Sequence, residues 1–484
     1  MGRNEFFGPL PSEFGQLLKL TELQVFENGL TGVLPTELGS VSTLQSFIAY
    51  LNFFGDTVPS FLGTMKNLRI LDLSENLFSG VLPPTLTAST SFRTVTLALN
   101  TISGTIPLTA TSLPNVEYFD MAANVLDGPF PSGIGALTKL TFLDLAQNMI
   151  SGVLPKEIGS LPALESLDLS TNFISEQIPT EIGMLTTLKE LFLGENLLSG
   201  SIPSTIAKLV NLMTLSLPRN SLSSKVPIEL VVLKKLNTLN LSETGLTGSF
   251  PMEYFTFANI TVLDLSKNKL ADAIPTTGWD GLSSLTDLRL NDNQLSGDIP
   301  GTISGASKLA ILDLSNNNGL MGSFPIEFVT LPLKQLRLGG NQIFGNLSSS
   351  IGTLSLLEIL SIENSFLTGS LPSEIGSLVN LRVLDLSTNA PLTGVIPTQI
   401  GLLQSLEVLN LSTNQFNGTI PTQLGSISTL QEVQLGNNAL SGAVPTTVCA
   451  IAGGNASQLD ILVVDCAGAT PKVTCDCCSN CTGN

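Results

Sequence analysis

An asparagine that returns every 24 residues constrains this chain more than any other feature. It stands at Asn4, Asn28, Asn52, Asn76, Asn100, Asn124, Asn148, Asn172, Asn196 and Asn220. The frame passes through Thr244 and resumes at Asn268, Asn293, Asn317 and Asn341. It passes Ser365 and ends with Asn389, Asn414 and Asn438, giving 19 frames of which 17 hold Asn. A fixed period of this length is the signature of a solenoid, in which each repeat stacks on its neighbours. The prior of several globular domains for 484 residues therefore does not apply.

The stretch Leu68–Pro83, LRILDLSENLFSGVLP, is the unit. Leu71-Asp72-Leu73 alternates as a half-buried strand does. Each repeat thus adds one short strand to a parallel sheet, with neighbours about 4.8 Å apart. The leucines face the core. The carboxamide of Asn76 cannot stay unpaired inside, so it bonds to backbone where the chain leaves the sheet. Gly80 permits a bend there. Pro83, seven residues after Asn76, fixes φ for the return along the outer side. Outer segments such as Pro155–Leu164 are short and glycine-bearing, which predicts 3-10 or single-turn helix, with a second short strand near Gly80–Leu82. Leu86 closes the core.

Composition agrees. Hydrophobic residues make up 43% of the chain and charged residues only 12%, with Gly at 43 and Pro at 27. The formal net charge of −18 excludes a nucleic-acid partner, because phosphates need a basic face, and suits a cationic one. The chain contains no His, which excludes Ser-His-Asp and Cys-His catalysis. No phosphate-binding glycine loop is present, and an open sheet does not enclose a carboxylate pair as glycoside hydrolysis requires. No enzyme activity and no cofactor are expected in this segment. No run of about 18 apolar residues occurs, and the first residues do not form a signal peptide. Asn4–Pro11 already reads as the second half of a repeat. An N-terminal cap, with a leader or anchor, is therefore expected upstream, and membrane contact only through such an additional segment.

These residues carry a resemblance. The pattern LxxLxxLxLxxNxLxGxIPxxLGxL, as in Leu188–Leu209 (LKELFLGENLLSGSIPSTIAKL), resembles the plant-type leucine-rich repeat. That repeat occurs in ectodomains of receptor-like kinases, receptor-like proteins and polygalacturonase-inhibiting proteins. The resemblance covers about residues 4–448. It implies an α/β solenoid of horseshoe or superhelical form with a parallel concave sheet, a convex side of 3-10 and short helices, and about 19 repeats of 24 residues. Residues 1–448 form the solenoid and 449–484 a cysteine-rich cap and tail. The implied function is extracellular recognition of receptor type. A peptide or protein binds the concave face, a co-receptor is a further candidate partner, and any kinase domain lies outside this segment. The alternatives are a secreted inhibitor of a wall-degrading enzyme and a structural adhesion protein.

The side chains of each strand that do not enter the core supply the binding candidates. The frame places Phe26, Tyr50, Tyr118, Phe142, Glu190, Phe192, Glu195, Arg219, Arg289 and Arg337 there, and aromatic and Arg residues make good interface anchors. Asp72, Asp120, Asp144, Asp168, Asp264, Asp313 and Asp385 form a column in the LDL position, read as structural. Irregularities gather in residues 240–395. Thr277–Gly281 carries an extra residue and the one Trp. Asn318-Gly319 and Ala390-Pro391 each add a residue, Leu331-Pro332-Leu333 loses one, and Ser348 stands where Pro is expected. They read as drift on loops, or as a local change that shapes a docking surface.

All six cysteines lie in the tail: Cys449, Cys466, Cys475, Cys477, Cys478 and Cys481. Six cysteines allow 15 pairings, and spacing does not choose among them. A disulfide-stapled cap over the last layer is expected, in preference to a metal site. Asn240, Asn259, Asn346, Asn410, Asn417, Asn455 and Asn480 each begin an N-x-S/T triplet, an acceptor for N-glycans in an exported protein.

Overall fold

A coil of the chain begins with a three-residue strand. Ile70–Asp72 pairs in parallel with Ser46–Ile48 on one side and Thr94–Thr96 on the other, with Leu71 opposite Phe47 and Val95. All three of these central side chains are fully buried. The computed structural model describes residues 2–452, 459–467 and 472–482. It divides into two compact units, Met1–Gly245 and Leu246–Asn484.

In the first unit the main sheet runs from Glu22–Gln24 to Thr238–Asn240, one strand per coil and every pairing parallel. In the second, the repeat strands run from Val262–Asp264 to Glu432–Gln434. Two strands of the tail, Ile461–Val464 and Asn480–Cys481, continue the same ladder. The repeats therefore contribute one main-sheet strand fewer than their frames. The strand of a coil precedes its Asn, and Asn4 has too few residues before it to supply one.

In most coils the second strand starts directly after the Asn. Leu77–Val81 pairs with Phe53–Thr57 and Thr101–Gly104. It is longer than the expected Gly80–Leu82 and begins three residues sooner. Gly80 lies within it at φ +68°. Pro83 at φ −67° then opens a single helical turn, Pro84–Thr87. In most coils the corresponding turn is 3-10, as in Lys156–Ser160. A 3-10 turn fits because five residues must close the coil while burying one or two apolar side chains, here Ile158.

The asparagines sit where strand and turn meet. Asn172 is typical. Its Nδ2 donates to the carbonyls of Leu169 (3.2 Å) and Ser170 (3.2 Å) in its own coil and of Leu145 (2.9 Å) in the coil before. Its Oδ1 accepts from the backbone N–H of Ile150 at 2.9 Å. Asn52, Asn76, Asn100, Asn124, Asn148, Asn196 and Asn220 repeat this pattern. In the second unit Asn293, Asn317, Asn341, Asn389, Asn414 and Asn438 likewise reach a carbonyl of the preceding coil. Asn268 bonds Leu265 and Ser266 and accepts from Leu246. Asn28, half-buried, bonds Val25, Phe26 and Phe6. The two substitutes bond within their own coil. Thr244 donates its hydroxyl to Leu241 O at 2.8 Å, and Ser365 donates to Glu363 O at 3.2 Å.

The residue before the Asn adopts the left-handed region in coil after coil: Glu75 at φ +52°, Gln147 and Thr171 at +56°, Arg219 at +51°. A residue with a Cβ is disfavoured there by about 1–2 kcal/mol. Such strain persists only where the surroundings over-determine it. The bonds of the adjacent carboxamide contribute to that determination, and the parallel pairing of the coils holds it where Thr244 or Ser365 stands instead, after Glu243 at φ +54° and Asn364 at +47°.

The tail completes the second unit. Asp465, 7% exposed, accepts from the N–H groups of Asn437 (2.6 Å) and Asn438 (2.9 Å) and from the Thr482 hydroxyl. The cysteines pair as Cys449–Cys477, Cys466–Cys481 and Cys475–Cys478. The first of these ties the helix Thr446–Ala452 to the final segment. Trp279, in the irregular coil that carries an extra residue, is buried rather than displayed. It packs against Phe250 and Phe255 and donates its indole N–H to Pro275 O.

Replacing Asn172 by Ala leaves one N–H and up to three carbonyls without this partner in a dry turn. Chemical unfolding is expected to show a loss of about 3–5 kcal/mol. Thr180→Ala, on an exposed outer turn, is expected to change stability by less than about 0.5 kcal/mol.

Candidate ligand-binding face

The solvent side of the main sheet is built from the first and third residues of each strand, because the second enters the core. In the first unit parallel register aligns these residues into two columns. One runs Ile70, Thr94, Tyr118, Phe142, Ser166, Glu190. The other runs Asp72, Thr96, Asp120, Asp144, Asp168, Phe192.

The five aromatic candidates do not form one patch. Tyr118 and Phe142 stack, with ring centroids 4.2 Å apart and planes 2° from parallel. Phe26 and Tyr50 stack at 4.9 Å and 8°. Phe192 lies in the other column beside Asp168 and has no ring partner among the described residues. The Phe26–Tyr50 stack is tied by polar bonds. The Tyr50 hydroxyl donates to Glu27 Oε1 at 3.0 Å, and Arg3 Nε donates to the same carboxylate at 3.1 Å. The remaining charged candidates are satisfied locally. Glu195 pairs with Arg219, which also reaches Glu243. Glu190 accepts from Ser166. In the second unit Arg289 is held by Asp287 of its own strand, and Arg337 by Gln335.

The aspartates of the LDL position have a definite task. Asp168 accepts from the N–H of Ser170 (2.8 Å) and from its hydroxyl (2.6 Å). Asp72, Asp264, Asp313 and Asp385 are held in the same way by Ser74, Ser266, Ser315 and Ser387. Asp120 and Asp144 are the exceptions. Ala122 and Ala146 stand where the others have Ser, so each carboxylate receives only a backbone N–H. These two flank the stacked rings. Burial raises the Asp120 carboxyl above its ordinary range. It pushes Asp144 to about 6, with Asp168 and Asp120 adding to the effect. Burial, with the neighbouring aspartates, also raises the Tyr118 hydroxyl. The signal was in the sequence: FDMA and LDLA replace LDLS at these two coils alone within 118–170.

The glycan-acceptor triplets fall into two groups. Asn259, Asn346, Asn417 and Asn480 are exposed. Asn240 and Asn410 take the Asp position, half-buried, and accept from Ser242 and Ser412 of their own triplets. Asn455 lies outside the described residues.

A strand, a buried carboxamide and a 3-10 return per coil define a leucine-rich repeat protein, and the chain belongs to that family. The leucine-rich repeat region model matches residues 93–313, and the single-repeat model matches 67–88 and 405–427. Sequence comparison with curated proteins finds no match. Among solved structures the chain is similar to the plant peptide hormone receptor RGFR1 in complex with RGF2. The identity is 31%, coverage is 96% of this chain and 73% of that one, and the TM-score is 0.85. It is also similar to the Arabidopsis receptor kinase HAESA in complex with the peptide hormone IDA and the co-receptor SERK1. There the identity is 31%, coverage 94% and 80%, and the TM-score 0.75. A TDR receptor matches at 25% identity over 97% and 83%, with a TM-score of 0.80. The repeat pattern is thus that of plant receptor ectodomains.

The raised Asp144 pKa has a sign. The folded state holds this proton more tightly than the unfolded chain does. The associated stability is present below about pH 4 and lost as pH rises through about 6. Asp144→Asn is expected to melt higher than the parent at pH 7 and at a similar temperature at pH 4. Melting curves across pH 4–8 check this, and equal curves for the two proteins would refute it.

Proposed function

We propose that the chain is the ligand-recognition domain of a receptor-type protein, and that it takes an extended peptide across the solvent face of its main sheet. The observation that carries this reading is the Tyr118–Phe142 stack with Asp120 and Asp144 beside it. Two half-buried rings presented face to face form an apolar platform. Two carboxylates short of donors provide negative charge next to it. A platform of this kind suits a Lys or Arg side chain, which gains from ring faces and from a carboxylate together. The net charge of −18 favours the approach of such a ligand. The described neighbours support the class of partner, since RGFR1 and HAESA were solved with peptide hormones and HAESA with a co-receptor.

Signalling in this reading belongs to a co-receptor or to another segment of the protein, and the face itself performs no chemistry. The setting we infer is extracellular. Three disulfides in the tail fit an oxidising compartment. No helix among the described residues is long and apolar enough to cross a membrane. The domain division we favour keeps residues 449–484 as the cap of the repeat array, which Asp465 and the tail strands support.

A random peptide library displayed on yeast and selected against the purified protein tests the reading. Selected peptides are expected to be rich in Lys or Arg. Their affinity is expected to fall about tenfold or more for the Tyr118→Ala, Phe142→Ala double variant, and to weaken at pH 5, where Asp144 is protonated. Selected peptides that bind the double variant unchanged would contradict it.

A further inference from the structure

Three departures from the repeat, scattered along the sequence, meet at one place in the second unit. Asn318 is the extra residue of one coil, and Ala390-Pro391 bring the extra residue of another. Three coil steps separate Asn317 from Asn389, roughly 14 Å at the sheet spacing. The third departure, Ser365 in place of Asn, lies between them. Both insertions swell the turn outward in the same way. Leu320 N–H bonds Asn317 O at 2.8 Å, and Leu392 N–H bonds Asn389 O at 2.7 Å. At both, the carboxamide of the following coil (Asn341, Asn414) accepts from the N–H of the Asn itself, where ordinary coils offer the residue two further on.

The two swollen turns wall an open groove of about 460 Å³. Its floor is the pair of coils between them that carry no insertion, with Gln342, Asn364 and Phe366. The floor is low because Gly340 occupies the left-handed position before Asn341, where the other described coils carry a side chain. A Cβ there would meet Asn316 Oδ1 at 2.2 Å.

The groove contains no charged side chain, although the chain carries a net −18. Phe366 is 54% exposed, and Pro391 offers a second apolar surface across from it. The carboxamides of Asn318 and Asn364 make no hydrogen bond to other described residues, so each presents two donors and an acceptor. Gln342 donates to Asn318 O at 2.6 Å, which leaves its Oε1 as an acceptor. Ionic ligands find no counter-charge here. A purely apolar ligand would strip water from three carboxamides without replacing their bonds. What matches is a neutral ring with one flat C–H face and hydroxyls around its edge. We propose that this groove is a saccharide-binding site, with a neutral sugar ring lying on Phe366 and its hydroxyls bonded by Asn318, Gln342 and Asn364. The volume lies in the range of small-ligand sites. The site is separate from the sheet face described above and does not depend on that reading.

The test is titration calorimetry of the full chain, freed of N-glycans, with cellotetraose, xylotetraose and mannotetraose. Tetragalacturonic acid serves as a charged control. At least one neutral oligosaccharide is expected to bind saturably. Phe366→Ala is expected to weaken it about tenfold, and Asn364→Asp, which keeps the shape but removes the donors, to weaken it as well. Phe173→Ala is expected to leave binding unchanged. Phe173 follows the Asn of its coil as Phe366 follows Ser365 and is similarly exposed, at 51%, but no insertion flanks it. Melting temperatures of all three variants establish that they fold. The proposal is overturned if none of the neutral oligosaccharides binds, if Phe366→Ala binds as well as the parent, or if the charged control binds as tightly as the neutral ones.

Discussion

Each coil depends on a backbone that would not hold its shape unaided. The residue before the repeat Asn is in the left-handed region whether it is Glu75, Gln147, Thr171 or Arg219, and none of these prefers it. The conformation turns the last carbonyls of the strand towards a single point, and the Asn carboxamide occupies that point. Two donors serve its own coil and the one before, and the oxygen takes an N–H of the turn. A shorter side chain cannot span both coils. Asp has the length but not the donors. The left-handed residue and the buried amide accompany one another in most coils, while Glu243 and Asn364 keep the conformation before Thr244 and Ser365; where the amide is present it fixes each coil against its neighbour.

Much of this was legible in the sequence. The 24-residue frame gave the parallel sheet, the core leucines and the outer turns, and the carboxamide had to be bonded because it was inside. What stayed hidden was of three kinds. The left-handed residue carries no signal, since Glu, Leu, Thr and Arg all occupy it and only the geometry selects the conformation. Contacts between coils were hidden for a different reason. Tyr118 and Phe142 stack because they share a register position 24 residues apart, while Phe192 stands in the neighbouring column and joins neither stack. Counting exposed aromatics could not separate these cases; comparing their positions in the frame does, since Tyr118 and Phe142 open their strands, Phe192 closes its own, and Phe26 and Tyr50 lie two residues beyond theirs. The cysteine pairing and the role of Asp465 belong to a segment without a repeat, where no frame exists to read.

Because the interior is fixed by a repeated device, variation is left to the surface, and there it is informative. Replacing Ser by Ala after Asp120 and Asp144 does not touch the core. It removes one hydroxyl from each carboxylate and leaves their charge less well solvated. An extra residue after Asn317 or Asn389 leaves the ladder intact, because the next carboxamide moves its bond to the N–H of the Asn itself. The solenoid thus tolerates changes that create a charged aromatic platform on one face and an uncharged groove at a turn. The two features differ in chemistry.

The central claim is that the buried carboxamides hold the coils together. Native-state hydrogen exchange on the backbone N–H groups that donate to them, such as those of Phe78, Ile102, Ile150 and Ile174, tests it most directly. The account predicts that these amides exchange only through opening of several coils at once, as slowly as the core strand amides of the same unit. Exchange at the rate of the exposed outer turns would mean that the carboxamides decorate the coils without binding them, and would contradict the account.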